Sequence, residues 1–414
     1  MFHRIESRCR SVWQLHRSGS DAICGTRRHT LGQMRLCYLL LAVTLFATKA
    51  HAQFDIEESH TTASLRGIHN VGGGVAWASG TNGTVLRTED GGYLWQTCSM
   101  PPGAEKLDFR GVQGFDANTA IVMSSGKGDL SRLYKTTDGC QTWKLLFTNP
   151  DKEGFWDAVQ TLDRNTYELV GDSVDRTLVN EQKGHILPVW RFHEGDDSDD
   201  RTSDHFFELK ADPDEGGFAA SNSTLVISSA PHRDPTWRYQ WLATQTATHS
   251  YVHRESAEDT PACEPCRLET VRVETPMSQN SSSAGIFSLA FRDDRLGVAV
   301  GGDYQKPDAK VKTAAYSDDA GKTWQPAQIP PHGYRSAVAY DAEQKLWITV
   351  GPNGTDISRD DGKNWTPLGP SGYDQPDADK NWNALSLPFV VGSHGRIGRL
   401  RTIAQEPTHS PAKK

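Results

Sequence analysis

One eight-residue pattern occurs four times in this chain, and a pattern repeated at a fixed period decides the architecture before any other feature does. The copies run Thr88–Trp95, Thr136–Trp143, Ser317–Trp324 and Ser358–Trp365. Each opens on a hydroxyl residue, carries an Asp at its third position (Asp90, Asp138, Asp319, Asp360) and closes on a Trp (Trp95, Trp143, Trp324, Trp365). The Asp can accept hydrogen bonds from nearby backbone N–H groups, and the Gly between Asp and Trp supplies positive φ where a hairpin must turn. The Trp then buries against neighbouring strands. A hairpin device used four times predicts an all-β repeat protein.

The pattern resembles the Asp-box, or BNR, repeat found at the outer hairpin of a β-propeller blade. The third copy matches Ser/Thr-x-Asp-x-Gly-x-Thr-Trp in full; the others depart at one place each, with Leu94 and Asn364 for Thr and Cys140 for Gly. Within each outer pair the boxes lie about one blade apart, and the interval from Asp138 to Asp319 holds three blade steps, two of them without a recognisable box. A second repeat gives the same count. Seven segments read as innermost strands, starting at Leu65, Phe109, Phe155, Phe218, Ile286, Tyr334 and Asn381. All but the fourth are followed by a short strand rich in Val, Ala and Gly. The expected fold is a seven-bladed β-propeller over 53–402. Its last blade lacks an outer hairpin, so the stretch Phe54 to Ser64 is expected to complete it and close the ring, which removes free sheet edges. Residues 403–414 read as a disordered tail.

Composition suits this reading: 414 residues, 37 Gly, 12 Trp and only 5 Met. A formal net charge of −8 argues against a nucleic-acid partner. Arg35, the apolar run Leu36 to Ala47 and Ala50-His51-Ala52 form an export signal over 1–52, with Met34 the expected true start. The chain is therefore expected in the periplasm or outside the cell, monomeric, and without a transmembrane anchor after cleavage. Removing the signal leaves Cys98, Cys140, Cys263 and Cys266, an even number that favours disulfides in an exported protein. A local Cys263–Cys266 bridge is expected, and an inter-blade Cys98–Cys140 bridge is possible by position. No metal or cofactor is expected. The acidic loop Glu194 to Asp200 lacks the Gly and Glu spacing of a Ca²⁺ loop.

Residues at the starts of the innermost strands are the candidate site. Arg66, Arg110, Arg335, Trp156 and Trp382, with Asn383, fall at or beside equivalent positions. Arg can hold a carboxylate or phosphate in a fork, and Trp can stack on a sugar or an apolar side chain. The competing reading has the Arg residues bound to neighbouring blades and the Trp residues filling the space between them. Were the protein a glycoside hydrolase, Asp157, Asp172 and Asp303 would be its carboxylates. The Phe/Tyr-Arg-Ile-Pro motif of sialidases does not appear and no Tyr–Glu pair can be assigned; the Ser-elbow and His-Glu-x-x-His motifs are absent as well.

The whole-chain organisation resembles the photosystem II stability/assembly factor-like propellers. Gly83–Gly92, a strand running into a box, and Gly285–Phe291, an innermost strand, carry most of the likeness, which covers roughly 60 to 402. The resemblance implies a non-enzymatic assembly module that presents an arginine-bearing propeller face to a protein segment. An anionic glycan is the other expected ligand, and a BNR-repeat glycoside hydrolase the alternative activity. The chain departs from the family in its acidic balance.

Overall fold

A computed structural model describes residues 54–99, 101–177, 183–194, 206–229, 237–258, 268–277 and 280–403. The export signal, Cys263, Cys266, the tail after Ile403 and the acidic loop beyond Glu194 lie outside these residues. The described residues form seven antiparallel sheets, six of four strands and one of five. Their innermost strands are Leu65–Gly72, Phe109–Gly114, Trp156–Thr161, Leu225–Ser229, Ala284–Phe291, Ala337–Asp341 and Trp382–Ser386, one for each of blades 1 to 7. This is a seven-bladed β-propeller. The ring closes through its N-terminus: Phe54–Glu57 pairs antiparallel with Ile397–Leu400 as the outer strand of blade 7. No helix among the described residues is long and apolar enough to cross a membrane.

The core lies between blades. Trp77 and Phe109 join blades 1 and 2, Trp156 packs with Ile121 and Met123 across blades 2 and 3, and Trp382 packs with Ile348 and Phe54 across blades 6 and 7. Trp241 of blade 4 stacks on Phe291 of blade 5 with centroids 3.7 Å apart and on Tyr239 of its own blade at 5.6 Å, so these blade-4 rings serve packing.

The four boxes build one turn. In each, the opening hydroxyl donates to the Asp at 2.8–2.9 Å and accepts the backbone N–H four residues on at 2.9–3.0 Å. The same Asp oxygen then accepts the N–H of Leu94, Thr142, Thr323 or Asn364. Thr142, Thr323 and Asn364 also donate a side-chain hydrogen to the second Asp oxygen, which Leu94 cannot do. Two successive residues per turn have positive φ, and at the second of them Gly is replaced once, by Cys140 at φ 64°. A side chain there costs about 1 kcal/mol. Cys140 is bonded to Cys98, tying the outer edges of blades 1 and 2 together. The box follows the third strand of its blade, so all four lie at the opposite end of the strands from the starts of the innermost ones.

Candidate functional site

Five innermost strands skip one residue of their ladder close to the start, and the skipped residues are Arg66, Arg110, Asp157, Phe287 and Asn383. A bulge leaves the extra residue unpaired and re-aims its side chain. These residues are therefore the structural equivalents, and the alignment expected from sequence is displaced by one residue in blades 3, 6 and 7. Because strand side chains alternate faces, one residue of slip exchanges the core face for the open one. Trp156 and Trp382 accordingly have no exposed surface and belong to the inter-blade core. In four of the five bulged blades, and in blade 6, the facing strand carries a glycine at this point. Gly80, Gly171, Gly301, Gly351 and Gly392 lie so close to the incoming chain that a Cβ would sit 1.8–2.4 Å from a backbone oxygen.

Gly351 approaches Tyr334 and Arg335 as Gly171 approaches Phe155 and Trp156, so Arg335 occupies the core position of blade 6. It is fully buried. Its Nε donates to Asp356 at 2.7 Å, Nη2 donates to the same oxygen, and Nη1 donates to the Tyr334 carbonyl and Asn353 Oδ1, each at 2.6 Å. Arg335 holds its own blade and cannot meet a ligand at the surface. Asn383 is also spoken for: its amide donates to the Leu65 carbonyl at 2.8 Å, from blade 7 to blade 1.

Arg66 and Arg110 remain. Their side chains are 31% and 25% exposed, and both turn to one carboxylate, Asp108. Arg110 Nε donates to Asp108 Oδ2 at 2.8 Å, and its Nη1 donates to the Ala219 carbonyl at 2.9 Å. Arg66 Nε stands 3.8 Å from Asp108 Oδ1, and neither of these two atoms has a hydrogen-bond partner among the described residues. Burial pulls the Arg66 pKa down and Asp108 opposes it, but a guanidinium stays charged at any ordinary pH. Two cations thus share one anion at the mouth of the ring.

Next to them the chain does something unexpected. Phe218–Ser221 is not the innermost strand of blade 4; that strand begins at Leu225. Residues 216–224 instead reach other blades. Ala219 meets Arg110 of blade 2, and Asn222 exchanges two hydrogen bonds with the backbone of Val159 in blade 3, at 2.8 and 3.0 Å. Ser223 donates to Ser288 of blade 5 at 2.7 Å, and Ser221 donates to the Ser336 carbonyl at the start of blade 6 at 2.8 Å. Phe218 stacks on Phe287 at 3.7 Å, and the half-exposed Tyr304 meets both rings edge-on. This axial segment places an aromatic shelf in the same central region as the arginine pair. Asp108 and Phe218 in these roles were missed in the sequence. The available signal was blade 4's lack of a Val/Ala/Gly strand directly after Phe218–Ser221.

The three candidate carboxylates do not face one another across a cleft. Asp157 and Asp172 are covered by the axial segment, at Gly217 and Gly216, where retaining glycosidases hold their pair about 5–5.5 Å apart with substrate between. Burial drives the Asp157 pKa well up, the neighbouring Asp172 charge adds to it, and burial raises Asp172 to about 6. Asp303 is engaged elsewhere, accepting Ser283 Oγ at 2.6 Å and pairing with Lys306 at 3.3 Å; these partners hold its pKa down against burial.

Another strained carboxylate is Glu255, pushed up to about 7 by burial and by the Glu168 charge beside it. The sign follows from linkage. A folded-state pKa raised above the unfolded value lowers stability as pH climbs from about 4 to about 7. Glu255→Gln is therefore expected to raise the unfolding temperature at about pH 8 and to leave it nearly unchanged at about pH 4, as read by thermal melts at both values.

No protein-family model and no curated protein matches the sequence. Among solved structures, "YCF48 bound to D1 peptide" superposes with a TM-score of 0.53 at 16% identity, over 85% of this chain and 98% of that one. YCF48 from Cyanidioschyzon merolae gives 0.51 at 16% identity, over 84% and 99%, and U3-55K gives 0.51 at 10% identity, over 84% and 98%. The chain is thus a seven-bladed propeller similar along nearly the whole fold to the photosystem II assembly factor YCF48.

Proposed function

We propose that this protein is an exported, non-enzymatic binding module that grips an acidic protein segment at the central face of the propeller. The observation that carries the reading is Arg66 and Arg110, partly exposed, sharing the single carboxylate Asp108 beside the Phe218–Phe287 shelf. A carboxylate from a partner can join or displace Asp108 between two fork-shaped donors, while an apolar side chain rests on the rings. The structure similar to this one with a bound D1 peptide supports a protein segment as ligand. The Cys98–Cys140 disulfide supports an oxidising compartment. An anionic glycan offers the same charges and is the competing ligand.

A fluorescently labelled Glu-rich peptide, its Gln-rich counterpart and a sulfated oligosaccharide separate these outcomes by anisotropy. The Glu-rich peptide is expected to bind best, more weakly as salt rises. Arg110→Ala is expected to weaken it about tenfold or more, in the range for truncating one member of a desolvated charge pair. Equal binding of the Gln-rich peptide would refute the charge-led reading.

A further inference from the structure

Beneath the axial segment lies an arrangement that the binding reading leaves unused. Asp157 sits on the bulge of blade 3 and Asp172 just after its second strand, and their carboxylates lie against two successive residues of the segment, Gly217 and Gly216. Asp157 is 2% exposed; its Oδ2 accepts the Gly217 N–H at 3.1 Å, while its Oδ1 is buried with no donor. Both following residues of the segment are moulded to the pair. A Cβ on Gly216 would land 1.9 Å from Asp172 Oδ1, and one on Gly217 would land 2.8 Å from Asp157 Oδ2. Two ionised carboxylates side by side, Asp157 buried and Asp172 partly buried, repel strongly, so one of them is kept as the acid.

We infer that Asp157 and Asp172 share one proton and form a latch that seats the axial segment, and so regulates the arginine site whose shelf that segment supplies. The regulatory half rests on the binding reading proposed above; the latch itself does not. In the latched state the Asp157 O–H donates to the Asp172 carboxylate, and the Gly217 N–H anchors the segment to Asp157. Loss of the proton to solvent at alkaline pH leaves two anions side by side and pushes the pair apart. The segment then lets go at Gly216 and Gly217, and Phe218 and Ala219 leave Phe287 and Arg110. The charges around the pair are few. Arg110 of blade 2 acts on Asp157 through space. Glu215, which precedes the segment, is already engaged by His253 at 2.7 Å, Thr244 at 2.6 Å and Arg272 at 3.1 Å. Gln245 of blade 4 bonds the backbone of Gly216 and brings no charge.

Hydrogen exchange by mass spectrometry on the full chain, corrected for the intrinsic rate, tests the latch at about pH 6.5 and about pH 9. Protection of the segment is expected to fall at least about tenfold at the higher pH, a factor worth about one unit of pKa. Asp157→Asn, which keeps a donor without an ionisable proton, is expected to abolish that fall. Wild-type protection that is the same at both pH values overturns the latch, and so does protection restored at high pH by Ca²⁺ alone, which would make the pair a cation site. The carboxyl ¹³C shift of Asp157 reads the neutral acid directly if the variant fails to fold. Glu-rich peptide affinity measured on the same samples separates the two claims. A pH-dependent segment with unchanged affinity overturns the regulatory half. A pH-dependent segment with no peptide binding at all overturns the binding reading and leaves the latch standing.

Discussion

Arg335→Ala is expected to destabilise the propeller by about 3–5 kcal/mol, the cost of breaking a buried ion pair by removing one partner. The residue looks like a ligand-binding arginine in the sequence and acts as an internal strut in the fold. Its removal strands Asp356, which has no exposed surface and would keep only His332, at 2.8 Å, as a charged or polar side-chain partner of its own blade. Burial alone would raise the Asp356 pKa, but His332 and Arg335 together hold it below the ordinary value. A depressed folded-state pKa contributes stability above the unfolded value and loses it as pH falls through the folded one. The wild type should therefore lose this contribution in acid below about pH 4, and the gap between wild type and Arg335→Ala should narrow there. Urea unfolding at two pH values measures both effects. Asp356→Asn in the same background should cost much less than the sum of the single changes, because the two residues are in contact. A loss under about 1 kcal/mol for Arg335→Ala would show that the pair is dispensable.

Trp382→Ala is expected to cost about 3–5 kcal/mol as well, by a different route. The indole lies at the start of the innermost strand of blade 7, fully buried, with Nε1 donating to the Ala378 carbonyl at 3.2 Å and the Arg396 guanidinium 4.9 Å above the ring. It shares its core with Phe54 and Leu400, which belong to the two strands that close the ring. The cavity would open at the seam where the first strand of the fold meets the last. The change should therefore also raise hydrogen exchange in Phe54–Glu57 more than in the outer strands of other blades, measured on the folded variant. Uniform exchange throughout the ring would argue that closure does not depend on this side chain.

These two residues show where sequence reasoning reaches its limit. The boxes were legible because their chemistry is local: a hydroxyl, an Asp and a backbone N–H meet within eight residues, and even Asn364 supplies the donor that Thr supplies elsewhere. Ring closure was legible because blade 7 is one strand short and a strand-like stretch precedes blade 1. The bulges were not. A bulge adds one residue with no compositional mark, and in a two-residue period that shift turns Trp156 and Trp382 inward and leaves Asp157 and Asn383 in their place. Arg66 and Arg110 survived the shift because Leu65 and Phe109 hold the core positions before them. The axial segment was hidden for another reason. Its contacts join residues 219–223 to blades 2, 3, 5 and 6, and no local pattern in Phe218–Ser223 encodes partners 63 to 115 residues away.

Asp108 is the residue on which the binding account turns, because it is the anion that any partner carboxylate must join or replace. The most direct test compares the affinity of a Glu-rich peptide for wild type, Arg66→Ala, Arg110→Ala and Asp108→Asn by fluorescence anisotropy at low and moderate salt. The account predicts weaker binding in both arginine variants, tighter binding in Asp108→Asn, and a salt dependence that shrinks when either arginine is lost. Unchanged affinity in both arginine variants would contradict it and would move the ligand, if there is one, to another face of the propeller.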